Sequence, residues 1–293
     1  MKKIDVLMFN DETDILHARL KYLYEEMDYF VITEFDQTFS GFKKDFNFEK
    51  NFLKFKKFSK KIIYQKAEFE AIKDRLHSKQ NFYTDFSKCY EHKHKGKIPK
   101  NLHRSVINEI LQRDASVDGL LKVAKEDDII FLSDVDEFPS LKFVEKISNL
   151  PDNKTLILEQ DWRQFYLNYR VIVPWYGTVV SSLSNIRKNS IDLLRCGTSV
   201  QQDVPHQIVQ NGGWHLSYLG GAHVVRKKLN DLAYQGIRSE ITRIISNISS
   251  KYLENRLKNG KDILNQNKRY EVISLKNFPI EIFEKDFIEK NVF

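Results

Sequence analysis

Cysteine is nearly absent: Cys89 and Cys196 are the two in 293 residues. So few, so far apart, cannot build a disulfide framework or a four-ligand zinc site, and both are read as reduced thiols. No apolar run approaches the roughly 20 residues needed to cross a bilayer. Residues 1–14 break their short apolar run at Asp5 and lack the apolar core of a secretory signal. Six prolines and eleven glycines are few for this length, so Asn, Asp and Ser must close many turns. No linker rich in Pro, Gly or Ser and no internal repeat divides the chain. One continuous domain is expected, soluble and made in a reducing compartment.

Hydrophobic residues make up 41% and aromatics 13%, which excludes a mainly disordered chain. The formal charge of +7 attracts any polyanion, whether nucleic acid, anionic membrane or nucleotide phosphate, and equally describes an ordinary solvated surface. Residues 42–61 interleave six Phe with eight Lys. That pattern allows a basic aromatic face for nucleic acid or membrane, but Phe at this spacing is more often core with Lys on the wet side, and the core reading is preferred. His92, His94 and His103 fall in a predicted loop without Cys or acids at ligand spacing, which argues against a metal role.

Strand and helix patterns alternate through the first third. Residues 4–9 read as a buried strand ending at Asn10, and Leu16, Leu20, Leu23 and Met27 recur at helical intervals after it. Residues 29–33 form a second strand ending at Glu34, and residues 61–64 a third. A long helix is marked by Leu102, Val106, Ile110, Val117, Leu120 and Ala124, with a break expected near Asp114. Residues 129–132 are a four-residue apolar strand ending at Ser133-Asp134. Buried strands alternating with helices predict a mainly parallel sheet, whose ligands sit at the carboxyl ends of strands. Asn10, Glu34 and Asp134 stand at such ends. Beyond Pro139 the chain is more β-rich, with strands predicted at 155–159, 165–169, 171–173 and 178–182, a tight turn at Asn211-Gly212-Gly213, and helix from Ala222.

Two segments carry chemistry. In Asp134-Val135-Asp136, two carboxylates one residue apart at a strand end can both reach a divalent cation. Mg²⁺ and Mn²⁺ prefer oxygen ligands, and Mg²⁺ is commonly held by one or two carboxylates together with substrate phosphates. A capped turn would use the same residue types. In Gly212-Gly213-Trp214-His215, the glycines allow close backbone approach, and the imidazole can serve a metal, a phosphate or a core hydrogen bond.

These residues give the chain a resemblance to glycosyltransferase family 17, the β-1,4-mannosyl-glycoprotein β-1,4-N-acetylglucosaminyltransferases and their bacterial and viral relatives. Four ordered blocks carry it: Phe9-Asn10-Asp11-Glu12-Thr13-Asp14 through Arg19-Leu20; Tyr29 to Glu34 with Thr38-Phe39-Ser40-Gly41; Ser133 to Pro139; and Gly213-Trp214-His215-Leu216-Ser217. The chain departs from many relatives at Tyr234-Gln235-Gly236, where they carry a His-Gln-Glu-like element. The resemblance implies a GT-A fold: a Rossmann-like, mainly parallel sheet flanked by helices (residues 1–139), a β-rich acceptor half (140–235) and a helical C-terminal tail (236–293). It implies Mn²⁺ or Mg²⁺ and a UDP-sugar donor, UDP-GlcNAc first. Asp134, Asp136 and His215 would hold the metal, and Asn10, Glu34 and Arg104, with the two aspartates, the nucleotide or donor sugar.

The implied reaction inverts the anomeric carbon and requires a carboxylate base. Asp203 and Glu137 lead the candidates, ahead of Glu159 and Asp161. The partners implied are a nucleotide sugar and a glycan acceptor, without nucleic acid, in a cytoplasmic enzyme of bacterial or viral type. The rival readings are a metal-dependent nuclease or nucleotidyltransferase, and an inactive glycan-binding relative.

Overall fold

The computed structural model describes residues 1–77, 104–151, 155–195, 206–231, 252, 254–256, 259 and 269–293. Ten strands form one curled, mixed sheet flanked by helices. β1 (Lys3–Phe9), β2 (Tyr29–Phe35), β3 (Ile62–Ala67) and β4 (Ile129–Asp134) are parallel and lie in the order β3-β2-β1-β4. Side chains of β1, β2 and β4 are buried on both faces. Ile4 and Val6 pack with Val117, Leu120 and Ile130 on one side, and Leu7 and Phe9 with Leu16, Leu20 and Phe30 on the other. Helix α1 (Thr13–Leu23) and helix α2 (Arg104–Leu120) supply those two covers. α2 runs without a break at Asp114, contrary to expectation, because Asp114 is itself buried and has a partner.

The sheet is mainly parallel only in this first part. β6 (Thr155–Gln164), β7 (Tyr169–Val171) and β8 (Trp175–Ser182) follow one another through short connections, which permit only antiparallel neighbours. β8 returns antiparallel beside β4 and joins the two parts. Residues 165–168, expected in a strand, instead form a turn in which Phe165 adopts φ 72°. The described part of the C-terminal tail is not wholly helical. β10 (Tyr270–Val272) adds to the sheet beside β7, and helix Lys285–Asn291 follows.

β5 (Glu137–Pro139) leaves β4 through the bend at Val135 and pairs with β9 (His206–Ser217), whose other edge pairs with β6. β9 passes straight through Asn211-Gly212-Gly213, where a turn was expected. The strain is absorbed by a register shift opposite Leu158/Gln160, by Asn211 at φ 55° and by Gly213 at φ 135°. A Cβ at Gly213 would lie 1.9 Å from the Phe138 carbonyl oxygen. Gly213→Ala should therefore prise β5 from β9 and destabilise the fold by at least about 1–3 kcal/mol, measured by urea unfolding.

Candidate functional site

The Asp134–Asp136 bend lies at the carboxyl end of β4, whose Asp134 is in register with Met8 of β1. Chain order reverses between β1 and β4, so this edge is the switch point at which open α/β sheets hold ligands. The bend is shaped from beneath by Arg19 on α1. Its guanidinium is fully buried and binds Asp5 of β1 through two 2.7 Å hydrogen bonds. Its remaining nitrogen, Nη1, donates to the Glu137 carbonyl and reaches the carbonyls of Asp134 and Val135 at 3.5 Å. One buried cation thus collects three of the bend's backbone oxygens, while that of Asp136 accepts from the Leu216 N–H at 2.8 Å.

The side chains above are held by a second set of contacts. Glu137 is fully buried. Its Oε2 accepts from the Asp134 backbone N–H at 2.9 Å and lies 2.8 Å from Arg195 Nη1, while Oε1 accepts from Trp175 Nε1 at 2.8 Å and Arg195 Nη2 at 3.2 Å. Arg195 ends the helix Ile191–Arg195 and also donates to the Gly177 carbonyl at 2.6 Å. Asp134 lies between two guanidiniums, 3.1 Å from Arg195 and 3.7 Å from Arg113, the latter also paired with Asp192 and Glu109 at 2.8 Å. Burial opposes ionisation of Asp134 most strongly, but Arg195 and then Arg113 outweigh it and hold the carboxyl below its ordinary range.

The β5–β9 register sets Glu137 opposite His215, and the β6–β9 register sets His215 opposite Trp162. His215 is buried, stacks on Trp175 (4.3 Å, 29°) and Trp162 (5.8 Å, 25°), and brings Nε2 within 3.6 Å of Asp136 Oδ1. The two sequence segments therefore meet in space. Asp161, opposite Trp214, is on the other face of the sheet from His215 and pairs with Arg163 at 3.1 Å. Glu159 accepts from the Tyr176 hydroxyl at 3.3 Å.

Other expected residues are placed differently. Glu34 was expected at the nucleotide or donor sugar. Instead it is fully buried, and its two oxygens accept from Lys44 Nζ and the Asn47 N–H at 2.6 Å and from the Phe48 N–H and Tyr64 hydroxyl at 2.9 Å. Those four donors make it a clasp for residues 44–48. Asn10 stands beside that clasp: its carbonyl accepts from Asn47 Nδ2 at 2.6 Å, and its Oδ1 is buried without a hydrogen bond. Arg104 opens α2, and its side chain lies outside the described residues, as do Asp203, the loop histidines and Tyr234-Gln235-Gly236.

For a divalent cation the donor chemistry fits. Asp134 Oδ1 and His215 Nδ1 are buried without a hydrogen-bond partner, and Asp136 Oδ1 faces His215 Nε2. Among the described residues, no three His, Cys, Asp or Glu side chains already converge as a cage.

Arg19, Arg113, Arg195, Trp162 and Trp175 were not singled out from the sequence. Arg113 and Arg195 carry no local signal among 47 basic residues. Arg19 does: it and Asp5 are charges set inside two otherwise buried elements, which demands that they pair.

The fold and this edge define a mixed α/β protein with a carboxylate–guanidinium cluster at the ends of its parallel strands. Residues 1–88 match the model described as Glycosyltransferase family 17, so this part of the chain is similar to that family. The match covers β1, α1, β2 and β3 and stops before Asp134. No curated protein matches the chain. Among the described residues, no helix is long and apolar enough to cross a membrane.

Proposed function

We propose that the chain has a GT-A fold and transfers N-acetylglucosamine from UDP-GlcNAc to a glycan acceptor, with inversion, using Mn²⁺ or Mg²⁺. The observation that carries this reading is the approach of Asp136 to His215 at 3.6 Å, just beyond Asp134 at the β1/β4 switch point. The strand order β3-β2-β1-β4 supports it, because a mononucleotide-binding half places its phosphates at that edge. Asp134, Asp136 and His215 would hold the cation, which when bound neutralises charge developing on the leaving diphosphate.

Most of the remaining roles follow from this chain's own contacts. Arg19 fixes the bend that presents the two aspartates. Glu137 has both oxygens occupied by Arg195, Trp175 and the Asp134 N–H, so it positions the bend and is a poor proton acceptor. Of the two leading carboxylates this leaves Asp203 as the base. Trp162 and Trp175 fix the imidazole ring of His215 by stacking. Asn10, with its unpartnered Oδ1 at the neighbouring strand end, is assigned to the nucleotide.

Two measurements test this. UDP-GlcNAc with Mn²⁺ should raise the melting temperature, by about 2.7 kcal/mol of added stability at a hundredfold excess over Kd. Neither Mn²⁺ alone nor an oligonucleotide should match that shift. A screen of UDP- and GDP-sugars should show metal-dependent release of UDP, fastest from UDP-GlcNAc. Equal response to every nucleotide sugar, or full release in chelator, would reject the donor and metal assignments respectively.

A further inference from the structure

The lysine–phenylalanine segment has a feature that the transfer reaction does not use. Residues 47–61 run through two short helices and a 3-10 helix that send Phe48, Phe55 and Phe58 into the core. The opposite side presents Phe52 and Leu53, which are 42% and 83% exposed, with Lys56, Lys57 and Lys60 also exposed. Neighbouring lysines are matched inside the protein: Lys50 with Asp45, Lys54 with Asp14 and Lys66 with Glu49. Lys56, Lys57 and Lys60 make no ion pair with the described residues. Beside Leu53 opens a pocket of about 570 Å³ lined by His17, Leu53, Lys54, Lys56, Lys57 and the single acid Glu284. Burial first, then the ammonium groups of Lys57 and Lys54, hold the His17 imidazole below its ordinary value, so positive charge is felt inside the pocket.

We propose that this face is a docking site for an anionic phospholipid surface, with headgroup phosphates at the Lys56–Lys57 pocket and Leu53 and Phe52 inserted at the headgroup–acyl boundary. The charge complement alone would suit any polyanion. The choice rests on Leu53: a wholly projecting aliphatic side chain at the rim of a cationic pocket gains nothing from a nucleic-acid backbone or a free phosphate. It gains burial from a lipid interface, where lysines flanking an apolar wedge are the pattern of peripheral attachment. The face is built from residues separate from Asp134, Asp136 and His215, so it does not depend on the catalytic assignment.

The test is co-sedimentation of the full chain with vesicles of phosphatidylcholine containing phosphatidylglycerol, beside vesicles of phosphatidylcholine alone and a single-stranded oligonucleotide. Binding is expected to the anionic vesicles only, and to weaken as salt is raised. Lys56→Ala and Lys57→Ala should each reduce it about fivefold. Leu53→Ser, which changes no charge, should reduce it about tenfold. All three positions are exposed, so melting temperature and UDP release should match the parent chain. Absence of anionic-vesicle binding, indifference to Leu53→Ser, or equal or tighter binding of the oligonucleotide would each overturn the proposal.

Discussion

Asp136→Ala should lower UDP release by about 10²–10³-fold, the range found when one preorganised stabiliser of developing charge is removed. Asp136 closes the bend opposite His215 Nε2 at 3.6 Å, and its carboxylate is one of the charges that oppose ionisation of Asp134. Removing it relieves that repulsion, so the melting temperature should change little while Mn²⁺ binding, followed by the paramagnetic signal of the free ion, weakens. Asp136→Asn keeps the shape and loses the charge, and should share most of the defect. Normal turnover and normal Mn²⁺ affinity in Asp136→Ala would remove the cation from this bend.

Arg19→Met should cost about 3–5 kcal/mol of stability, because it strands the Asp5 carboxylate in a fully buried position. The pair Asp5→Leu with Arg19→Met should recover much of that loss, since well-packed apolar replacements of a buried ion pair are often neutral. Activity should not recover with it. The carbonyls of Asp134, Val135 and Glu137 would still lack the Nη1 donor that gathers them. Urea unfolding and UDP release measured on the three proteins separate these effects. Recovery of both together in the double variant would reduce Arg19 to a stability element without a positioning role.

The parallel half of the sheet was readable chiefly because β1, β2 and β4 are buried on both faces. Residues 4–9 and 129–132 leave little polarity in the strand interior, and the carboxylates at their ends follow at once. Strand lengths were underestimated where polar residues continue the ladder, as at Lys66 in β3 and at Gln160 to Gln164 in β6. β9 was hidden for a different reason. Asn-Gly-Gly is a turn signal in isolation, and only pairing on both edges turns it into a strained strand interior.

The site divides along the same line. The segments of Asp134-Val135-Asp136 and His215 stand out in the sequence because their residue types and strand-end positions are unusual together, and the structure places Asp136 and His215 3.6 Å apart. Glu34 shared the strand-end position, but sequence cannot show that four donors converge on it from residues 44–64. Arg113 and Arg195 reach Asp134 from elements separated from it along the chain, a proximity that exists only once α2 and the helix Ile191–Arg195 have packed.

Because β9 is gripped by β5 along one edge and by β6 along the other, its side-chain alternation is fixed twice over. Gain or loss of a single residue between Gly213 and Ser217 would swap His215 with Trp214, moving an imidazole into the aromatic packing of Tyr22 and Phe278 and an indole toward Asp136. A change of length between Gly213 and Ser217 therefore costs more than a substitution there. Redesign of this site for another substrate is better aimed at the connections around β9 than at the strand itself.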